Sequence, residues 1–280
     1  LPHETGVRLD WKDALPDSAT TLAEALGSSG YRTAAIPGSL LLHPRHGLNQ
    51  GFAEYLDSFA EVPRPREVPV LHFAARRVAD RALDWLEGAH KEPYFLWVNF
   101  HDLYDTDEGA VSYDAAVTAV DQEVGRVIAR IHEYGEDERT LIVVAGSHGI
   151  GLGDHGEEQH GTLLFQPTLG VPLIMKPAGR DREGRAVDFP VGLVDVMPTI
   201  LETADVAAPS GLAGRSLHGA FDSGVDPIGA DRILLAETVQ PAALFGWSPV
   251  VAARAGQFKC IISGGSTRRT RSTVGSTARR

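Results

Sequence analysis

Two almost wholly apolar runs limit the fold of this chain more than any other feature. They are Tyr94-Phe95-Leu96-Trp97-Val98-Asn99-Phe100 and Thr140-Leu141-Ile142-Val143-Val144. A strand that is apolar at successive positions has to be covered on both faces, as in a parallel sheet flanked by helices. Between them lies a long helical pattern, Tyr113 to Glu133, with Val117, Val120, Val124, Val127, Ile128 and Ile131 as its apolar stripe. Val171 to Met175 reads as a third buried strand and Leu193 to Ala204 as another helix. This alternation predicts an α/β fold with a mostly parallel sheet flanked by helices. Ile233 to Ala236, Val250 to Ala253 and Gln257 to Ile262 predict a small C-terminal antiparallel sheet.

Upstream, Ser18 to Ser29 reads as a helix with Ser or Asp available to cap it, closed by Gly30. Tyr31 to Ile36 follows as a short strand. Pro37 to Phe59 is rich in turn formers and is expected to be irregular. Pro63, Pro65 and Pro69 mark a linker into a helix from Val70 to Leu86, where Val78, Ala82, Trp85 and Leu86 recur at helical spacing. The expected organisation is a core over residues 1–222, a small subdomain over 223–262, and a basic, disordered tail over 263–280.

Charge sharpens that division. The chain carries a net charge of −11, but residues 263–280 hold five Arg and no acid. Without them, 21 basic residues face 37 acidic ones, an acidic body that argues against nonspecific nucleic-acid binding. The tail is Ser, Thr, Gly and Arg apart from Val274 and Ala278. A tail of that composition cannot bury a core. It reads as an interaction tail or as a sequence out of frame, the second being favoured. No apolar run reaches the roughly 18 residues of a membrane-spanning helix. One cysteine, Cys260, excludes an internal disulfide and a Cys-rich zinc site, and its apolar strand suggests a buried structural thiol.

The stretch with chemistry directly follows the strand ending at Val144. It reads Ala145-Gly146-Ser147-His148-Gly149-Ile150-Gly151-Leu152-Gly153-Asp154-His155-Gly156-Glu157-Glu158-Gln159-His160-Gly161. Ligands of parallel α/β sheets sit at the carboxyl ends of strands. Neutral imidazole ligates metals, and the charged form donates to phosphate or sulfate oxygens. Glycine admits close backbone approach. Incidental histidines in a polar loop are the plainer alternative, weakened by three His within thirteen residues. Gly151, Gly153 and Gly156 satisfy G-x-G-x-x-G. A dinucleotide fingerprint, however, opens a helix and has an acidic residue about twenty positions on, which this stretch lacks.

This stretch resembles the T-S-D-H-G-E-x-L-G-E-H-G…H-G signature of sulfatases in the alkaline-phosphatase superfamily. Thr21-Leu22-Ala23-Glu24-Ala25-Leu26 and Gly30-Tyr31-Arg32-Thr33-Ala34 are similar to that family's T-L-A-E-x-L…G-Y-x-T-A. Gly47-Leu48-Asn49-Gln50-Gly51-Phe52, Val171-Pro172-Leu173-Ile174, Leu193 to Leu201 and Gly214-Arg215-Ser216-Leu217 match further segments in family order. The resemblance implies an alkaline-phosphatase-like fold and sulfuric ester hydrolysis. A nucleophile attacks sulfur, a divalent cation, calcium in intact relatives, neutralises oxygens, and a His contacts the leaving group. A phosphodiester or phosphoryl substrate and a non-catalytic anion-binding pseudoenzyme are the alternatives. The implied partner is a sulfated or phosphorylated small molecule or glycan, with neither nucleic acid nor membrane.

Three departures bear on activity. The family's C-x-P-S-R or S-x-P-S-R nucleophile motif is absent, and Pro2 to Val7 resembles the segment just after it, so the chain reads as a C-terminal part. Ser147-His148 stands where the family carries an acidic metal pair, and losing a carboxylate weakens a hard-cation site. Tyr104 stands where the family has a substrate-facing His. The expected residual site is therefore His160 toward the substrate or leaving group, His155 and Tyr104 toward the substrate, and His148 with Ser147 at a degraded metal position. Asp154, His155 and Glu157 are read as shaping the loop.

Overall fold

The computed structural model describes residues 2–9, 12–57, 72–101, 112–179, 184–223, 226–229, 232–264 and 272–273. In chain order the helices are α1 (Pro2–Thr5), α2 (Leu22–Ser28), α3 (Ala75–Ala89), α4 (Tyr113–Glu133), α5 (Gln166–Leu169), α6 (Val196–Thr203), α7 (Ala220–Ser223) and α8 (Gln240–Phe245). The strands are β1 (Arg32–Ile36), β2 (Glu54–Tyr55), β3 (Tyr94–Val98), β4 (Ile142–Ala145), β5 (Leu173–Lys176), β6 (Ile233–Thr238), β7 (Val250–Ala255), β8 (Phe258–Ser263) and β9 (Ser272–Thr273). They divide into two compact units. One comprises Asp10–Thr140 with Ala178–Arg180; the other comprises Leu1–Leu9, Leu141–Pro177 and Asp181–Arg280.

The unit built on Asp10–Thr140 holds a parallel sheet in the order β2-β1-β3. Its apolar strand β3 is covered on both faces, as its composition demands. Leu96 and Val98 pack with Ile36, Phe73, Val78 and Ala82 and with Val127 of α4. Phe52 stacks on Phe95 and Trp97 from the other side. Burying Val78, Trp85 and Leu86 along α3 contributes about 1.5–3 kcal/mol each. β1, not β3, is the central strand; β3 pairs only with β1 among the described residues. The spacing-based ranges for α4 and β1 agree with the structure to within a residue, whereas α3 begins later than Val70. The Pro63–Pro69 linker falls outside the described residues.

α2 shows why particular residues recur in this unit. Thr21, rather than Ser or Asp, caps it: Glu24 N–H donates to Thr21 Oγ1 at 3.1 Å, and Thr21 N–H donates to Glu24 Oε2 at 2.7 Å. This reciprocal box satisfies two orphan donors of the helix end. Thr33 of β1 then donates to the Gly51 carbonyl at 2.7 Å and accepts from Ala53 N–H at 2.9 Å. A Cβ at Gly51 would overlap the Glu24 backbone.

The second unit holds a two-stranded sheet, β4-β5, and a four-stranded sheet, β6-β7-β8-β9, both antiparallel. β4 and β5 thus depart from the parallel arrangement expected from their apolar character. Parallel return needs a crossover, usually helical. The connection from β4 to β5 contains only a 3₁₀ turn and the four-residue α5. The expected tail is described only at Ser263, Gly264 and β9, which pairs with β8 through Phe258 and Lys259. The inner face of the larger sheet packs Val250, Ala252, Ala236 and Ile261 against Leu164 and Leu169. Cys260 points to the opposite face and is free and half-buried, which corrects its expected burial. It shares that face because it stands opposite Ala253, in step with the exposed positions Val251 and Ile262.

Asp195 is the keystone of this unit. It is fully buried, and Arg232 donates to both its oxygens at 2.6 Å. The N–H groups of Gly192 and Arg215 complete its shell at 2.8 and 2.9 Å. Thr199 donates to the Asp195 carbonyl and accepts from Leu217 N–H. The Leu193–Leu201 and Gly214–Leu217 segments are therefore one lock, and a Cβ at Gly214 would overlap the Val194 carbonyl.

Candidate functional site

The His- and Gly-rich stretch folds as a hairpin off the end of β4. Gly146 N–H continues the ladder by donating to the Pro172 carbonyl at 3.0 Å. Gly151, Leu152 and Gly153 then donate to the carbonyls of Gln159, Glu158 and Glu157 at 2.7, 3.0 and 3.0 Å. The tip is a 3₁₀ turn, Asp154–Gly156; Gly153, which precedes it, and Gly156 have positive φ, and His155 stands at φ 53°, ψ 18°. For a non-glycine residue that left-handed conformation is uncommon. Two glycines are there because side chains do not fit: a Cβ at Gly149 would overlap the Pro167 carbonyl, and one at Gly151 the Glu157 carbonyl.

Glu157 fastens the hairpin. Its side chain is buried, and its Oε1 accepts from the N–H groups of Thr162 and Leu163 at 2.8 and 3.0 Å. His148 and His160 are thereby brought together, with ring centroids 3.9 Å apart and planes at 20°. His148 Nδ1–H donates to the Gly149 carbonyl at 2.9 Å, the carbonyl acceptor assigning a proton to Nδ1. Ser147 is exposed beside this pair. His155 stacks on Phe165 at 3.9 Å and lies 3.8 Å from Asp154. Tyr104 lies outside the described residues.

Two further residues touch this site from far along the chain. Thr238, at the end of β6, donates to the Gly161 carbonyl at 2.5 Å. The Gln240 amide lies where a Cβ at Gly161 would be, and Gly161 has φ 85°, a conformation that favours glycine next to His160. Nothing in the local sequence announces either contact, because 77 residues separate Thr238 from Gly161. Only the order β6-turn-α8, once folded, brings them to the hairpin.

Calcium takes six to eight oxygens, several of them anionic. Here Ser147 offers a neutral hydroxyl and His148 one nitrogen, while Glu157 Oε1 is engaged by backbone N–H groups. Among the described residues no group of three or more His, Cys, Asp or Glu is placed to hold a metal ion. These residues do not fit calcium.

The sequence profile described as Sulfatase matches residues 2–206. This chain belongs to the sulfatase family. Sulfatases are members of the alkaline-phosphatase superfamily and generally use a divalent cation. Among curated relatives, the multifunctional alkaline phosphatase superfamily protein PehA of Trinickia caryophylli is 35% identical over 120 residues, 40% of this chain and 23% of that protein. An arylsulfatase of Clostridium perfringens is 28% identical over 109 residues, 38% of this chain and 22% of the enzyme. Mouse (Mus musculus) steryl-sulfatase is 29% identical over 185 residues, 58% of this chain and 29% of the enzyme. The matched segments thus span under a third of these relatives' lengths.

Solved structures carry the fold further than sequence does. One, of a protein in complex with its substrate D-glucosamine-2-N,6-O-disulfate, superposes with a TM-score of 0.78 at 17% identity, over 98% of this chain and 78% of that one. A phosphonate monoester hydrolase from Silicibacter pomeroyi gives 0.71 at 17%, over 98% and 77%. The α/β fold with a parallel sheet, helices and a small C-terminal antiparallel sheet is that of sulfatases. No described helix is long and apolar enough to cross a membrane.

Proposed function

We propose that this sulfatase-like chain engages the anionic head of a sulfated ester through His148 and His160 and does not hydrolyse it unaided. The supporting observation is the stacked imidazole pair beside an exposed Ser147, where the family resemblance expects an acidic metal ligand. An imidazolium donates charge-assisted hydrogen bonds to sulfate or phosphate oxygens without a metal. Hydrolysis needs more: a nucleophile, and positive charge on the nonbridging oxygens as they develop charge. The 280 residues contain no C-x-P-S-R or S-x-P-S-R segment. Cys260 stands on the sheet face away from Leu164, without a Pro-x-Arg sequence. In this reading His160 contacts the transferred group or leaving oxygen, His148 marks the metal side, and His155 is a substrate contact, the role the resemblance also gives to Tyr104. The ligand is a small molecule or glycan bearing sulfate, as in the disulfated glucosamine bound by the structural neighbour.

Calorimetric titration with glucosamine 6-sulfate, inorganic sulfate and inorganic phosphate tests this, alongside an aryl sulfate assay with added calcium. Saturable binding that weakens about tenfold or more in His160→Ala is expected, with no turnover. Turnover at the rate of an intact arylsulfatase overturns the proposal, as does binding indifferent to His160. Phosphate binding tighter than sulfate assigns the site to phosphoryl esters.

A further inference from the structure

One hydroxyl clasps β6 and α8 to the histidine hairpin. Thr238 Oγ1 donates to the Gly161 carbonyl at 2.5 Å and accepts from Gln240 N–H at 3.2 Å. These residues, with His148 and His160, belong to one compact unit. The clasp lays the Gln240 side-chain amide on Gly161, the residue after His160, where the missing Cβ admits it. Oε1 is the amide atom nearest that Cβ position, and Nε2 stands farther off, at 3.1 Å. A carbonyl oxygen, not an NH2 group, suits the Cα–H of Gly161. Packing alone does not call for an amide there. An apolar side chain of the same reach would cover Gly161 equally and carry no polar group to desolvate. Gln240 is half-buried, and among the described residues its amide makes no hydrogen bond, only its backbone N–H.

We infer that the Gln240 amide is a further contact to the ligand's sulfate group, donating through Nε2 beside His160, and that it favours sulfate over phosphate. Its role presupposes that His148 and His160 form an anion site, as proposed above. A sulfate ester at neutral pH has acceptor oxygens only, so every partner it meets must donate. The two imidazoles donate when charged. The Gln240 NH2 group adds two donors without adding charge. A phosphate that retains a proton needs an acceptor as well. With Oε1 against Gly161, the amide presents its donors and not its acceptor. The same clasp that seats the amide therefore also sets which end of it faces a ligand.

Calorimetric titrations at about pH 6, where phosphate retains an O–H, compare inorganic sulfate with inorganic phosphate. Gln240→Met keeps the reach over Gly161 and removes the donors, and it should weaken sulfate binding about tenfold or more. Gln240→Glu puts an acceptor where the donors were. It should weaken sulfate at least as much, while protonated phosphate donates to the new carboxylate. The phosphate-to-sulfate affinity ratio should therefore rise about tenfold over that of the unsubstituted chain. Melting curves and the His148 and His160 ring resonances should stay as they are in both variants. A residue that only props the hairpin would move those resonances or lower both affinities alike. Sulfate binding unchanged in Gln240→Met, while His160→Ala still loses it, overturns the Gln240 contact and leaves the histidine reading standing. So does a ratio unmoved in Gln240→Glu. An unsubstituted chain that binds neither anion, or binding indifferent to His160, overturns the histidine reading and the Gln240 contact together. Should Gln240→Glu not fold, the Gln240→Met titration decides alone.

Discussion

Replacing Asp195 by leucine removes the most heavily bonded carboxylate described in this chain. The residue is 0% exposed, and four hydrogen bonds end on it, two from Arg232 and one each from Gly192 and Arg215 N–H. Asp195→Leu leaves the Arg232 guanidinium, whose side chain is 10% exposed, without its counter-charge. It also strands two backbone donors. Removing one member of a buried ion pair costs about 3–5 kcal/mol, against a stability of about 5–15 kcal/mol for a whole domain. Much of that loss is the isolated charge, not the pair's net worth. Asp195→Leu with Arg232→Met removes both charges and should recover about 2–3 kcal/mol of the loss as coupling. Urea unfolding followed by far-ultraviolet dichroism reads both. At about 2 kcal/mol per molar urea, the single variant shifts the midpoint down by about 2 M and the double variant by less than half that. A single variant within about 1 kcal/mol of the unsubstituted chain refutes the reasoning, as does a double variant no better than the single one.

Lys259 is buried on the inner face of its sheet, its Nζ has no hydrogen-bond partner among the described residues, and burial followed by nearby Arg254 pushes its pKa down from 10.5 to about 8. The unfolded chain therefore holds more protons between about pH 8 and 10.5, so stability rises with pH across that window and the penalty is full below it. Lys259→Met should flatten that rise in melts taken from pH 7 to 10 and, after discounting for solvent screening, add about 1–2 kcal/mol at pH 7; a slope unchanged by the substitution counts against it. Ser147→Asp restores an anionic oxygen beside His148 and should raise calcium affinity about tenfold or more by calorimetry; no change would mean that Ser147 is not at the family's metal position. Gly161→Ala forces a Cβ onto Gln240 at a residue with φ 85°, and should cost more than about 1 kcal/mol while shifting the His148 and His160 ring resonances; unmoved resonances would show that Gly161 does not set the stack.

What was legible in the sequence follows from the range of the forces involved. Helix α4 and strand β1 are dictated by local periodicity, and their limits could be read directly. Capping is also local, but only the folded chain shows that Thr21, paired with Glu24, outcompetes the neighbouring Ser and Asp. Strand direction is not local. β4 and β5 have the composition of buried parallel strands, yet the absence of a crossover helix between them makes their pairing antiparallel. β3 is apolar at successive positions because Leu96 and Val98 pack on the Ile36 cluster while Phe52 covers Phe95 and Trp97. Cys260 looked buried because its neighbours are apolar, whereas alternation alone decides which of them face inward.

The motif segments explain why family membership could be read from so few residues while the chemistry could not. Thr21, Glu24, Thr33 and Gly51 bond or abut one another across 30 residues, and Asp195, Thr199, Gly214 and Arg215 do the same across 20. These residues hold backbone to backbone in places where only a hydroxyl, a carboxylate or a missing Cβ fits. Replacing Thr33, Asp195 or Thr199 leaves a buried donor or acceptor unpaired, at about 1–3 kcal/mol each, and a Cβ at Gly51 or Gly214 would overlap backbone. Ser147 and His155 are on the exposed side of the hairpin and carry no such load. The fold therefore sets little penalty on substitution there, whereas Glu157 holds the hairpin closed through Thr162 and Leu163. A stacked His148–His160 pair thus stands on a closed hairpin, beside a serine where the family resemblance expects a carboxylate.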